Sequence, residues 1–219
     1  MSDYPNFEDY SKLYQKYYEG RWVGELIELV GPVENKRGLD LCAGDGLLSW
    51  EAVRRGAKEM LLVEKEVLMI DWGLVGANLK IAICTDAVEN ILLHFRPDNS
   101  KFDFVICRQG VNYWLNEELV KNLAQVLGPD GVFVFNTFHR KPIGEPRVKQ
   151  YAIGRHTFVE VNWLVDDVVH HVQIRNGLPP HTTSFKWLSP EYLQKILCPF
   201  FSIEIKKDGA TALYRCVKK

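Results

Sequence analysis

Arg37-Gly38-Leu39-Asp40-Leu41-Cys42-Ala43-Gly44-Asp45-Gly46-Leu47-Leu48-Ser49 is the stretch that decides the fold. It reads as a strand, an acidic strand end, a glycine turn and a helix start in direct succession. Gly44 and Gly46 carry no Cβ, so the backbone there can take positive φ and let a ligand lie almost against the main chain. A corner of this kind receives a nucleotide.

Outward from the corner, strands and helices alternate. A short apolar strand, Glu59 to Val63, ends in Glu64, and the spacing of apolar residues predicts a helix over Val67 to Leu79. Strand Ile81 to Cys84 runs into Thr85-Asp86, a helix spans about Ala87 to Phe95, and Phe102 to Cys107 is a buried strand, apolar apart from Asp103. A helix from Glu117 to Leu127 precedes Gly128-Pro129-Asp130-Gly131, read as a turn, and strand Val132 to Asn136. Alternation on this scale argues for a parallel sheet with helices on both faces and a ligand at the carboxyl ends of the strands.

The two ends of the chain depart from that alternation. Ser11 to Val30 is helical in spacing, with Tyr10, Tyr14 and Tyr18 four apart on one face, and Gly31-Pro32 stops it. Beyond Phe138, alternating runs around Tyr151 to Val165, Val168 to Arg175 and His181 to Lys186 predict an antiparallel excursion, turning at Asp166-Asp167 and Asn176-Gly177. A helix over Ser189 to Leu197 opens with Ser-Pro-Glu, and a hairpin of Phe200 to Lys206 with Ala212 to Val217 closes the chain. The expected organisation is one domain over 1–219, with a lid helix in 1–30 and an antiparallel insert in 140–188 covering the substrate.

Composition narrows the class. With 47% hydrophobic and 25% charged residues in 219, the chain can bury one sizeable core. A formal net charge of -1 gives no global positive field to hold a phosphate backbone, so nucleic acid is a poor partner. Five scattered cysteines form no CxxC pair and no cluster at metal spacing, so no metal is expected and the thiols read as reduced and buried. Neither a leader-like start nor an apolar run of ~18 residues is present, so a cytoplasmic protein without membrane attachment is expected.

A dinucleotide site would want a third glycine where Ser49 stands. The segment instead resembles motif I of class I S-adenosylmethionine (SAM) dependent methyltransferases of the small-molecule type, with Asp40, Gly44 and Gly46 on the pattern and Cys42 in place of its first glycine. The resemblance runs on through Glu64, Thr85-Asp86-Ala87, the apolar fourth strand, Leu127 to Gly131 and the closing hairpin. It implies a Rossmann-like, doubly wound, mostly parallel seven-stranded sheet with a C-terminal antiparallel hairpin strand and an antiparallel insert. It also implies a cofactor site. Glu64 would accept from the two ribose hydroxyls, a task that suits a charged acceptor. Asp86 and the backbone of Ala87 would meet the adenine amine, Lys65 and Val67 would lie beside the adenine edge, and Arg108 and Gln109 would line the methionine end. The pattern Tyr10-x3-Tyr14, followed by Lys16 and Tyr18, resembles the lid of sugar amine N-methyltransferases, which implies that these tyrosines meet the cofactor, Tyr10, Tyr14 and Trp22 stacking near the sulfonium or bonding the cofactor carboxylate.

Plainer readings stand beside these. The acidic strand ends can serve as helix caps, Asp86 above all. The tyrosine ladder can be an ordinary packed face. His139, just past the fifth strand, is the candidate general base, or a solvated loop residue. Tyr113, His156 and His181 are candidate acceptor contacts, whereas adjacent His170 and His171 must point to opposite faces of a strand.

Methyl transfer from a sulfonium is an in-line displacement, which demands alignment and exclusion of water more than a base. The resemblance therefore implies transfer from SAM, leaving S-adenosylhomocysteine (SAH), to an N or O atom of a small metabolite. The Asn/Asp-Pro-Pro signature of base-amino enzymes is absent; Arg108-Gln109-Gly110 stands there instead. A peptide or protein acceptor, a silent SAM-binding subunit and, more remotely, an NAD-dependent oxidoreductase remain as alternatives. The aromatics Tyr151, Phe158, Trp163, Phe185 and Trp187 suit an acceptor wall, a core or the contact of a homodimer.

Overall fold

The opening stretch forms the centre of the sheet. In a computed structural model that describes residues 20–95, 101–141, 145–153, 156–175 and 180–219, β1 (Arg37–Leu41) runs between β2 (Glu59–Val63) and β4 (Phe102–Cys107) and is parallel to both. β3 (Ile81–Cys84) adds beyond β2, and β5 (Leu127–Phe138) beyond β4, all parallel. The hairpin of β10 (Phe201–Asp208) and β11 (Thr211–Lys218) closes the far edge, β11 lying antiparallel to β5. The strand order β10-β11-β5-β4-β1-β2-β3 is the doubly wound arrangement expected.

Helices cover both faces because each carries one apolar stripe. On one side α1 (Val23–Val30), α2 (Leu47–Arg54) and the single turn α3 (Trp72–Val75) bury Leu26, Ile27, Leu48, Ala52 and Val75 against Leu62, Phe104 and Val134. On the other, α4 (Val88–His94), α5 (Val111–Trp114), α6 (Glu117–Val126) and α7 (Pro190–Leu197) bury Leu92, Val111, Leu123 and Leu193 against Val105, Phe133, Phe135 and Tyr214. Side-chain caps start α6 and α7: Asn116 accepts from the Leu119 N–H, and Ser189 from the Tyr192 N–H with Pro190 in the first turn.

Three expectations change. The helix predicted over Val67 to Leu79 is a 3-10 turn (Val67–Met69) followed by α3, because the Asp71 carboxylate accepts from the Leu74 N–H and starts a new helix that Gly76 soon ends. Leu68, Trp72 and Leu79, which supplied the apolar rhythm, are exposed. The Gly128–Gly131 turn lies inside β5, where it bulges the ladder between Phe102 and Phe104. The N-terminal helix is described only as α1, which packs on β5, β11 and α2; Tyr10, Tyr14 and Tyr18 lie outside the described residues. Trp22 is buried in that same core and donates its indole N–H to Asp208 at 3.1 Å.

The antiparallel insert is a separate four-stranded meander, β6 (Arg147–Ile153), β7 (His156–Val165), β8 (Val168–Arg175) and β9 (His181–Lys186). Asp166 and Asp167 turn β7 into β8, both at positive φ. Asn112, after β4, ties the meander to the main sheet: its Nδ2 donates to the Lys186 carbonyl, and its Oδ1 accepts from Thr137 at the end of β5. No helix among the described residues is long and apolar enough to cross a membrane.

Candidate functional site

The chain reverses its winding at β1: β2 and β3 build outward on one side, β4 and β5 on the other. Loops leaving β1 and β4 therefore part, and a cleft of about 600 Å3 opens at their carboxyl ends. Its size suits a nucleotide-sized ligand.

The two loop glycines serve different ends. Gly44 (φ 59) lines the cleft, and a Cβ there would meet only the Met69 methyl at 3.8 Å, so the position stays open to a ligand. Gly46 (φ 82) faces inward, where a Cβ would press on Leu62 and Val75 at 2.8 Å. Cys42, in the first-glycine position, takes φ 53 without being glycine. Its side chain packs over Gly110, where a Cβ would lie 2.4 Å from the Cys42 Cβ, and beside Cys107, which with burial pushes the Cys42 thiol well above its ordinary range.

At the end of β2, Glu64 accepts from the Gly44 N–H at 2.8 Å through Oε2 and from the Glu66 N–H at 2.9 Å through Oε1. Each oxygen keeps acceptor capacity toward the cleft. Desolvation raises its pKa, against the backbone donors that lower it. Across the cleft, Asp86 Oδ1 accepts from the Ala87 N–H and from Asn90, which hold this carboxyl below its usual range. Asp86 does not cap the helix, whose N-cap position is Ala87 without a side-chain cap bond, and it lines the cleft.

Gln109 sits at the cleft with φ 60, its N–H donating to Asn136 at 2.9 Å. A non-glycine residue in this region is strained by roughly 1–3 kcal/mol, and such strain gathers at functional sites. Beside it the Arg108 guanidinium pairs with Asp45 at 2.8 Å, both side chains nine-tenths buried. Asp45 also accepts from the Leu47 N–H, so the pair fastens the glycine loop to the end of β4.

Gly44, Glu64, Lys65, Asp86, Ala87, Arg108, Gln109 and Tyr113 are brought together around the cleft. Asp40 and Gly46 are not; they lie beneath it. His181 stands in β9 beside Thr182 and Thr183, which reach the cleft, while of His156 only the backbone, at the start of β7, is described. His139 lies past β5, its N–H donating to the Ala210 carbonyl, outside the cleft lining. Val67 is exposed and outside it as well, and Met69 takes the place beside Glu64 and Gly44. Met69 is a lining residue that sequence reasoning missed, and no motif marks it; Cys42, in the first-glycine position, and Trp114, next to Tyr113, line the cleft as well. Among the described residues no group of His, Cys, Asp or Glu is gathered to hold a metal ion.

Asp40 shows why Ser49 stands in the third-glycine position. The Ser49 hydroxyl and N–H both donate to Asp40 Oδ2, at 2.8 and 3.1 Å. Burial nevertheless pushes Asp40 up to about 7 from 3.8, against Ser49 and Arg108. An acid with a raised native pKa is protonated in the folded chain while still ionised in the unfolded one. Its contribution is therefore greatest at low pH and is lost as pH rises from near 3.8 to about 7. We expect Asp40→Asn to remove a pH slope totalling roughly 4 kcal/mol. Urea unfolding of both proteins across that window checks it: parallel curves would show that Asp40 does not titrate there.

Residues 22–150, more than half of the chain, match the model of one protein family. The chain belongs to the family described as Conserved hypothetical protein 95. No curated protein matches it. Among solved structures, it is similar to a SAM-dependent methyltransferase from Clostridium acetobutylicum ATCC 824, with 19% identity and a TM-score of 0.72 over 98% of this chain and 99% of that one. It is similar also to SAM-bound CalS10, an amino pentose methyltransferase from Micromonospora echinaspora, with 13% identity and a TM-score of 0.74 over the whole of both chains. A third is the sugar N-methyltransferase KedS8 from Streptoalloteichus sp ATCC 53650, at 16% identity and a TM-score of 0.65, covering 94% of this chain and 92% of that one. These likenesses show the fold, which this family member shares with those methyltransferases over 94–100% of its length.

Proposed function

We propose that the chain binds SAM in the cleft between β1 and β4 and transfers its methyl group to a nitrogen or oxygen of a small polar metabolite. The observation that carries this reading is Glu64. Its carboxylate stands at the end of β2, hydrogen-bonded to the open glycine loop, with acceptor capacity left for a vicinal diol. A pyrophosphate would be repelled by Glu64, Glu66, Asp86 and Glu89, all on this cleft. A ribose and an amine-bearing purine are met by the same groups.

The donor fits the residues present. The open Gly44 admits a ligand against the main chain, Asp86 and the Ala87 backbone face the far end, and Arg108 and Gln109 close the near end. SAM supplies a methyl group on a sulfonium. The chain's own part is to hold the ribose through Glu64, to fix the loops through the Arg108–Asp45 pair, and to keep water from the reacting atoms. Tyr113, stacked edge-on with Phe185 of β9 at 5.8 Å, would form part of the acceptor wall. An amino pentose methyltransferase and a sugar N-methyltransferase among the similar structures support a nitrogen on a polar molecule as the acceptor. We place the reaction in the cytoplasm, with neither nucleic acid nor membrane as partner.

Isothermal titration with SAM and SAH tests the donor. Saturable binding of both is expected, and no heat with either at millimolar ligand ends the reading.

A further inference from the structure

The last strand of the meander meets the cleft with its edge. Thr182, Thr183 and Ser184, adjacent in sequence, all line it. Successive side chains of a strand point to opposite faces, so three in a row line one cleft only where the cleft runs along the strand's edge. β9 is the outermost strand of the meander, with β8 on one side and no strand on the other.

Strand register fixes which main-chain groups that edge presents. The Trp187 N–H donates to the Asp167 carbonyl, next in line after the pairing of Val168 with Lys186. Every second residue back from Trp187 is then hydrogen-bonded to β8, so Phe185, Thr183 and His181 turn their N–H and C=O groups to β8, while Lys186, Ser184 and Thr182 turn theirs away. The Lys186 carbonyl bears out this phase, since it accepts at 2.8 Å from Asn112, which follows β4. One rung of the edge is thus closed by a side-chain amide. The next two, at Ser184 and Thr182, are exposed on the cleft and make no main-chain hydrogen bond outside the ladder among the described residues. Strand edges are ordinarily blunted by charge, proline or a bulge. The opposite edge, β6, carries Arg147 and Lys149, whereas His181 to Phe185 holds no lysine, arginine or proline and pairs with β8 without a shift of register.

We infer that the edge of β9 holds the methyl acceptor, and that this acceptor is a short peptide whose main chain pairs with Ser184 and Thr182 as an added strand would. This rests on the methyl-donor reading above. Each of the two residues offers one donor and one acceptor side by side, and the two sets stand about 7 Å apart, the two-residue repeat of an extended chain. A peptide carries the complementary groups at that same repeat, and the hydroxyls of a sugar ring do not. Tyr113, on the cleft and edge-on to Phe185 of β9, gives an apolar wall for a peptide side chain. A terminal amine also suits the lining, in which no histidine stands among the described residues. With an ordinary pKa of about 7.7–8.0, such an amine is partly neutral near pH 7 without a base. Its lone pair forms the new N–CH3 bond as the S–CH3 bond breaks with its electron pair going to sulfur, and the nitrogen's surplus proton passes to water.

Calorimetric titration of the SAH-saturated full chain with pentaalanine tests it. Saturable binding is expected, weakened about tenfold or more when all four amides of the peptide are N-methylated, because every rung then loses its donor. That comparison needs no altered protein. Ser184→Pro removes a cleft-facing N–H of β9 and spares the ladder to β8, so it should weaken pentaalanine while keeping SAH affinity. No binding of pentaalanine at millimolar peptide, or an N-methylated peptide that binds as well as its parent, overturns the inference and leaves the donor reading intact. A dimer in sedimentation that Ser184→Pro dissociates puts a second copy on this edge and overturns it as well. Failure to bind SAH at all overturns both.

Discussion

Arg108→Ala is expected to cost about 3–5 kcal/mol of folding stability, because it strands the buried Asp45 carboxylate without its partner. Both side chains of the pair are nine-tenths buried, at 6% and 9% exposure, so water cannot replace what the guanidinium supplies. The Leu47 N–H, which donates to the same Asp45 oxygen, compensates only in part. Because the pair joins the glycine loop to the end of β4, the loss is expected to loosen both walls of the cleft. Asp45→Asn with Arg108→Gln, which removes both charges and keeps hydrogen-bonding groups, should recover most of the loss. Urea unfolding with extrapolation to water measures it. A single variant within about 0.5 kcal/mol of wild type, the range of ordinary surface changes, would mean that the pair does not hold the loop.

Glu64→Ala is expected to weaken SAH by about 1.5–3 kcal/mol, roughly 10- to 150-fold, through loss of charge-assisted hydrogen bonds. The side chain acts twice, once toward the ligand and once by accepting from Gly44 and Glu66. Glu64→Gln separates the two, because an amide retains one acceptor but not the charge, and should fall between wild type and Glu64→Ala. Titration calorimetry reads all three. A dissociation constant unchanged in Glu64→Ala would move the ribose away from β2.

Gly44, Glu64 and Asp86 were legible in the chain because each sits at the end of a short apolar strand, where the covalent order of strand, turn and helix fixes the neighbourhood of the residue. The helix over Val67 to Leu79 was misread for the converse reason. Apolar spacing there reflected exposed Leu68, Trp72 and Leu79, while the local start signal, the Asp71 carboxylate on the Leu74 N–H, was the feature that counted. Asp40 was legible as an acid at a strand end, yet its partner was not: only the fold turns it under the loop to Ser49. Histidines show the same limit. His139 stood nearest the fifth strand in sequence, but the chain bends it toward Ala210, outside the cleft lining.

The sequence by itself determined the doubly wound sheet, the glycine corner and the acids around it, because these follow from local order: a strand's length, a turn's need for positive φ, a cap's reach of two or three residues. Tertiary structure alone decided that Arg108 pairs with Asp45, that Met69 completes the cleft, and that the last strand of the meander reaches it through Thr182, Thr183 and Ser184. Those depend on which strands become neighbours and in what register, and a shift of one residue would exchange the two faces of the meander.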